Sequence, residues 1–194
     1  MTDFSWLDER PVVVAIAGSN GAGKTTFYHA HLADCGLRYV NADVLAEQLD
    51  LDPYVAAGMA SSIRQRLLAR RESFVFETVF SDPSGDKLAL LSDAVAAGYR
   101  VVLCFVWIPD PETSEQRVAM RVSQGGHDVP SDKLLARFDR TLANLERAIV
   151  GLPFVLIFDN GDLARPYRHI ATFESGSIVR TCEPVPAWLR SLMP

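Results

Sequence analysis

Residues 11–25 read PVVVAIAGSNGAGKT. The first seven, PVVVAIA, form a short continuous run rich in β-branched residues, which predicts a strand buried on both faces of a parallel sheet. The next eight, Gly18, Ser19, Asn20, Gly21, Ala22, Gly23, Lys24 and Thr25, match a phosphate-binding P-loop, with the strand before it and a helix after it that this motif requires. Its glycines let backbone N–H groups turn inward around phosphates where a side chain would block approach. The helix N-terminus adds partial positive charge at the same point. In this reading Lys24 bridges the β- and γ-phosphates and the Thr25 hydroxyl ligates Mg²⁺. Thr26 closes the nucleotide-binding stretch, capping or packing rather than ligating.

Working outward, strands and helices alternate. After the helix at residues 24–33, residues 38–40 read as an edge strand and a helix follows from Ala42. A further helix covers residues 54–71, with a basic end (Arg64, Arg66, Arg70, Arg71) that suits its C-terminal dipole. Residues 73–80, 101–108 and 154–158 read as buried strands. Between them lie helices at 84–97, stopped by Gly98, at 111–122, and at 132–150 behind an N-cap at Ser131. Residues 168–174 and 177–181 alternate around a tight turn and form a C-terminal edge hairpin, followed by a short helix at 186–192. The expectation is one α/β domain over residues 1–194, of the P-loop NTPase fold: a mostly parallel central sheet with helices on both faces. In such sheets ligands sit at the carboxyl ends of the strands, where residues 18–25, 77–82 and 159–161 all fall.

The totals narrow the function. A net charge of −5 over 194 residues argues against nucleic acid as the main partner. The cysteines Cys35, Cys104 and Cys182 show no metal or redox spacing. Residues 1–10 are acidic and mixed, unlike a signal peptide, and no apolar run approaches a membrane span. A cytoplasmic, membrane-free protein is expected.

Candidate chemistry clusters at four further places. Asp43, at a helix start about twenty residues beyond the P-loop, either accepts a proton from an attacking hydroxyl or caps its helix. Glu77, ending an apolar strand, binds Mg²⁺ through water, binds a substrate hydroxyl, or turns to solvent. Asp82 is a weaker candidate, and Asp110, between two prolines, reads as a turn former. Arg117 and Arg121 share a helix face, and Arg137 and Arg140 start the next helix. The polar, glycine-containing stretch between completes a lid over about residues 117–140. Such cations neutralise charge on a transferring phosphoryl group, and Arg121, nearest the loop, leads, followed by Arg117 and Arg137. His127 within the loop is either a phosphate donor, a closing contact or neither. Asn160 or Arg165 is expected near the adenine.

With these segments located, the chain resembles the zeta-toxin family of P-loop kinases. The resemblance rests on residues 17–27, on Asn41-Ala42-Asp43, on Phe76-Glu77-Thr78-Val79-Phe80-Ser81, and on Arg117-Val118-Ala119-Met120-Arg121-Val122. It continues through residues 125–130, Arg137-Phe138-Asp139-Arg140 and Asp159-Asn160. The resemblance implies phosphoryl transfer from ATP or GTP to the 3′-hydroxyl of the amino sugar of UDP-N-acetylglucosamine, and a small antitoxin-like protein that blocks the nucleotide site. It implies Asp43 as the base, Glu77 as a substrate-site carboxylate and Arg121 on the phosphates. The chain departs from that pattern at His127, where the well-known Gram-positive toxins hold a second arginine, and at residues 78–81, which help shape the acceptor site. Two other readings fit the same loop: a regulatory ATPase switch with a protein partner, and a kinase of an unrelated small metabolite.

Overall fold

The run at residues 12–17 becomes β1 (Val12–Ala17), buried at every position because both of its faces are covered. In this computed structural model, which describes residues 4–123 and 130–190, the other strands are β2 (Arg38–Val40), β3 (Phe74–Thr78), β4 (Arg100–Trp107), β5 (Phe154–Asp159), β6 (Arg168–Glu174) and β7 (Ser177–Thr181). They form one sheet in the order β2-β3-β1-β4-β5-β6-β7. The first five run parallel, and β6 and β7 close the edge as an antiparallel hairpin.

Helices α1 (Lys24–His31), α2 (Ala42–Leu49), α3 (Pro53–Ala69), α4 (Asp86–Ala96), α5 (Pro111–Ser123), α6 (Ser131–Gly151) and α7 (Ala187–Arg190) connect and finish the strands. Alternate residues of β1 feed two cores. Val13, Ala15 and Ala17 pack with Phe76, Leu103 and residues of α3, α4 and α6 on one face. Val12, Val14 and Ile16 pack with Phe27 and Tyr28 of α1 on the other. The period of two along a central strand thus divides one apolar run between two helix layers.

The expected edge position of β2 and the C-terminal hairpin are both present. Element ends move by small amounts. α1 stops at His31 and a short 3₁₀ turn, Ala33–Cys35, takes up the rest. α3 starts at Pro53, whose ring suits the first helical position, behind the Asp52 cap. α6 begins at Ser131 itself, with Pro130 as the capping position, so the expected Ser131 N-cap is corrected by one residue. Gly98, at φ +78°, turns the chain out of α4. Cys104 is fully buried and all three cysteines are free thiols. Burial pushes the Cys104 thiol pKa well above its ordinary value.

β1 lies between β3 and β4. The chain leaves it towards β2 and β3 on one side and crosses to β4 and β5 on the other. That reversal opens a crevice at the carboxyl end of β1, the usual ligand position in open α/β sheets. No helix among the described residues is long and apolar enough to cross a membrane.

Leu103 lies at the middle of β4, fully buried, paired with both Ala15 and Val155. Leu103→Ala is expected to destabilise the protein by about 2–5 kcal/mol through lost transfer energy and a residual cavity. Urea denaturation with an unchanged slope checks this.

Candidate functional site

The sheet register sets the site. Ile16 pairs with Glu77 and Ala17 with Thr78, so the end of β3 arrives level with the point where β1 turns into the P-loop. Thr25, on the first turn of α1, therefore faces Glu77, and its hydroxyl donates to Glu77 Oε2 at 3.1 Å. Lys24 Nζ folds back over the loop and donates to the carbonyls of Gly18 and Ser19, both at 2.9 Å.

The loop is held from outside as well. Ser114 Oγ, on α5, donates to the Asn20 carbonyl at 2.7 Å. Asn160 Nδ2, beyond β5, donates to the Ala22 carbonyl at 2.8 Å. The Tyr167 hydroxyl donates to the Gly23 carbonyl at 3.0 Å. Gly23 has φ +90°, and a Cβ there would meet the Tyr167 hydroxyl at 2.7 Å and Asn160 Nδ2 at 2.8 Å. Glycine is required at that position by backbone conformation and by space together.

A cavity of about 470 Å³ opens in front of the loop. It is lined by Lys24, Thr25, Asp43, Glu77, Arg117 and Arg121 among others, so five of the residues singled out for chemistry meet Glu77 in one space. Asn20, Gly21, Gly23 and Thr26 also reach it. Gly18, Ser19 and Ala22 support the loop from behind, Ser19 and Ala22 buried.

Asp43 sits at the second residue of α2. The cap of that helix is Asn41, whose Oδ1 accepts from the Asp43 N–H at 2.8 Å and from the Val44 N–H at 3.4 Å. The alternative in which Asp43 merely caps its helix is thereby answered: Asn41 does that work, and the Asp43 carboxylate lines the cavity.

Asn41 also starts a polar chain that sequence reading missed. Its Nδ2 donates to the Tyr39 hydroxyl at 2.8 Å, and that hydroxyl donates to Glu77 Oε1. Tyr39 stacks on Tyr28 with ring centroids 3.7 Å apart. Burial, and then the Glu77 charge, hold the Tyr39 hydroxyl pKa far above its ordinary range, so it stays a donor. A single tyrosine on a three-residue strand carries no sequence signal of this; only the strand pairing brings it to Glu77.

Electrostatics tie the same groups together. Burial raises the Glu77 pKa, and Asp43 adds to that, while Lys24 and the hydrogen bonds from Tyr39 and Thr25 pull it down. Burial lowers the Lys24 pKa, Glu77 and Asp43 raise it, and Arg121 lowers it. Two carboxylates, Asp43 and Glu77, thus share the cavity with Lys24, Arg117 and Arg121.

Other predicted residues go elsewhere. Arg117 lines the cavity, yet its Nη2 donates to the Asn160 carbonyl at 2.9 Å, bracing the loop beyond β5. Arg137 is not among the residues lining the cavity. Arg140 donates through Nε to the Ser81 carbonyl at 2.9 Å. With Thr141 on Val79 and Asn144 on Phe80 and Asp82, it holds the segment that follows β3. Asn160 is a buried tether of the P-loop rather than an open adenine contact, and Arg165 is exposed and paired with Asp162 at 3.1 Å. Asp110 caps α5 through Thr113. Residues 117–123 and 131–140 of the expected lid are helical; His127 and the loop around it lie outside the described residues.

The donors present suit Mg²⁺. No group of three or more metal-ligating side chains occurs among the described residues, as expected where the ion takes one hydroxyl, with or without a carboxylate, and completes its shell with phosphates and water. The Thr25 hydroxyl and the Glu77 carboxylate, bonded to each other, are the oxygens here that could hold it.

Strand order, P-loop and cleft together define a P-loop protein with the α/β fold of the kinase type. The chain belongs to the AAA domain family, whose model matches residues 13–148. No curated protein matches the chain. Among solved structures, the complex of AvrRxo1-ORF1 with AvrRxo1-ORF2 gives a TM-score of 0.69 at 18% identity, over 96% of this chain and 65% of that one. The same pair is also known with ATP. This chain therefore spans just under two thirds of that relative's length. The PezAT chromosomal toxin-antitoxin system of Streptococcus pneumoniae gives 0.63 at 14% identity, over 96% and 78%. A gluconokinase from Sinorhizobium meliloti gives 0.50 at 20% identity, over 82% and 86%. The resemblance read from the motifs is thus matched by the fold.

Glu77 also predicts a pH response. A carboxylate whose folded pKa is raised contributes stability that is complete below its ordinary value near 4.5 and is lost as pH rises through the folded value. Glu77→Gln is expected to remove that part of the slope, so its melting temperature falls less than the wild type's across that window. Thermal melts over a pH series measure it.

Proposed function

We propose that the chain is an ATP-dependent kinase of a small molecule, transferring the γ-phosphoryl group to a hydroxyl. The observation that supports this reading is the placement of Asp43: relieved of capping by Asn41, it lines the same cavity as Lys24 and Thr25 and interacts electrostatically with Lys24. A switch that only hydrolyses nucleotide has no need of an open acceptor space beside a free carboxylate.

In this reading the inward N–H groups of residues 18–24 and Lys24 hold the phosphates. Mg²⁺, held by Thr25 with Glu77 behind it, supplies charge neutralisation when bound. Asp43 orients the acceptor hydroxyl and accepts its proton as the oxygen–phosphorus bond forms. The bond to the bridging oxygen breaks, and its electron pair leaves with ADP. Arg121 supports the charge that spreads over the equatorial oxygens. Arg117 contributes indirectly by bracing Asn160 and hence the loop. Arg137 has no role in this scheme.

UDP-N-acetylglucosamine or a related nucleotide sugar is the acceptor that the zeta-toxin resemblance favours. Two of the structural relatives are described as partner complexes, which supports a small protein partner for this chain as well. The whole is proposed to work as one unit, in a cytoplasmic setting.

The test is a phosphoryl-transfer assay with ATP, Mg²⁺, nucleotide sugars and a metabolite extract, read by mass spectrometry. Asp43→Asn should keep ATP affinity within about twofold and lower transfer by about 10²–10⁴-fold, the range of general-base catalysis. Comparable turnover in that variant sinks the base assignment, and ATP hydrolysis with no phosphorylated acceptor favours the switch instead. Lys24→Ala should weaken ATP binding by at least about tenfold, the scale of a charge-assisted contact, as calorimetry would record.

A further inference from the structure

α3 presents Ala57, Ser61 and Arg64 to the large cavity. Spacings of four and three residues place them on one helix face. The first two are small and leave room; the third closes the space. Arg64, read from the sequence as part of the helix's basic C-terminal end, is only 5% exposed. Its guanidinium lies over the Phe76 ring, 5.2 Å from the centroid. Its Nε is buried with no hydrogen-bond partner, and none of the ion pairs among the described residues includes it.

Such a group is costly as it stands. Arginine keeps its proton, burial works against that charge, and a cation–π contact offsets only part of the desolvation. Asp86 and Asp93 line a smaller neighbouring cavity with Arg64 but form no ion pair with it. Lys87 lines both cavities alongside Arg64, so the large cavity carries a second cation on that side. Asp43 and Glu77 line the same large cavity near the P-loop. The cavity therefore offers a molecule both the Asp43 and Glu77 carboxylates and the unanswered Arg64 cation.

We propose that Arg64, supported by Lys87, anchors an anionic group of the acceptor, so that the substrate is a hydroxyl compound carrying a phosphate or a carboxylate. This rests on the kinase reading and names its substrate class. The planar guanidinium offers two parallel donors that match either group. The hydroxyl end then falls towards Asp43. A nucleotide sugar belongs to this class through its pyrophosphate; a neutral sugar does not.

Binding tests this without requiring transfer. The full chain, saturated with AMP-PNP and Mg²⁺ so that the phosphate loop is filled, is titrated calorimetrically with inorganic phosphate, glucose 6-phosphate, gluconate and glucose. At least one anion should bind saturably, and glucose at least about tenfold more weakly. Arg64→Met, which keeps the packing on Phe76, should weaken the anion about ten- to a hundredfold, and Arg64→Lys should recover part of it. Preference for the phosphates or for gluconate distinguishes the two anionic groups. Thermal melts verify folding, and if Arg64→Met does not fold, weaker anion binding by Arg64→Lys alone carries the test. Equal anion affinity in wild type and variant, glucose binding as tightly as its anionic counterparts, or no anion binding overturns the proposal. Anion binding that depends on Arg64, in a chain that transfers no phosphate, would instead count against the kinase reading alone.

Discussion

A phosphate-binding loop works only if its N–H groups point inward, which forces its carbonyls outward, where each needs a donor. The rest of this chain supplies them. Lys24 takes the carbonyls of Gly18 and Ser19, Ser114 that of Asn20, Asn160 that of Ala22 and Tyr167 that of Gly23. These donors come from the loop's own helix, from α5, and from the segments that follow β5. The C-terminal half of the protein therefore does more than extend the sheet. It holds the loop's shape by satisfying its carbonyls.

The acceptor side is built with the same economy of partners. Asn41 caps α2 with one atom of its amide and reaches Tyr39 with the other, and Tyr39 passes the contact to Glu77, which also accepts from Thr25. One connected network thus fixes the start of α2, the end of β3 and the start of α1 relative to one another. Phe80, buried at φ +63° just beyond β3, is kept in that uncommon conformation by Thr78 on its N–H and Asn144 on its carbonyl. Backbone strain of this kind persists only where neighbours over-determine it.

Some of these arrangements were legible before any fold was known. The run 12–17 followed by 18–25 dictates strand, loop and helix, because buried strands need apolar residues on both faces and phosphate loops need glycine. The alternation of elements dictates a parallel sheet, and the resemblance of ordered motifs led to the kinase-type fold. Asp43 and Glu77 were legible as charged residues at a helix start and a strand end, since such positions converge in α/β sheets, and Arg121 as the arginine nearest the loop. Arg137, Arg140 and Asn160 show the limit of that reasoning. Each has suitable chemistry, and two of the three, Arg140 and Asn160, are occupied by backbone carbonyls instead.

The sequence by itself determined the periodicities, the glycine positions and the identity of the charged groups, because these depend on local backbone geometry and on residue chemistry alone. Only the tertiary structure decided which polar atoms meet. Whether Asp43 or Asn41 caps α2, whether Tyr39 touches Glu77 and whether Arg64 is solvated or buried over Phe76 all depend on residues from separate elements. Strand register, helix packing and burial place those residues within a few ångströms of one another, and no spacing along the chain encodes that distance.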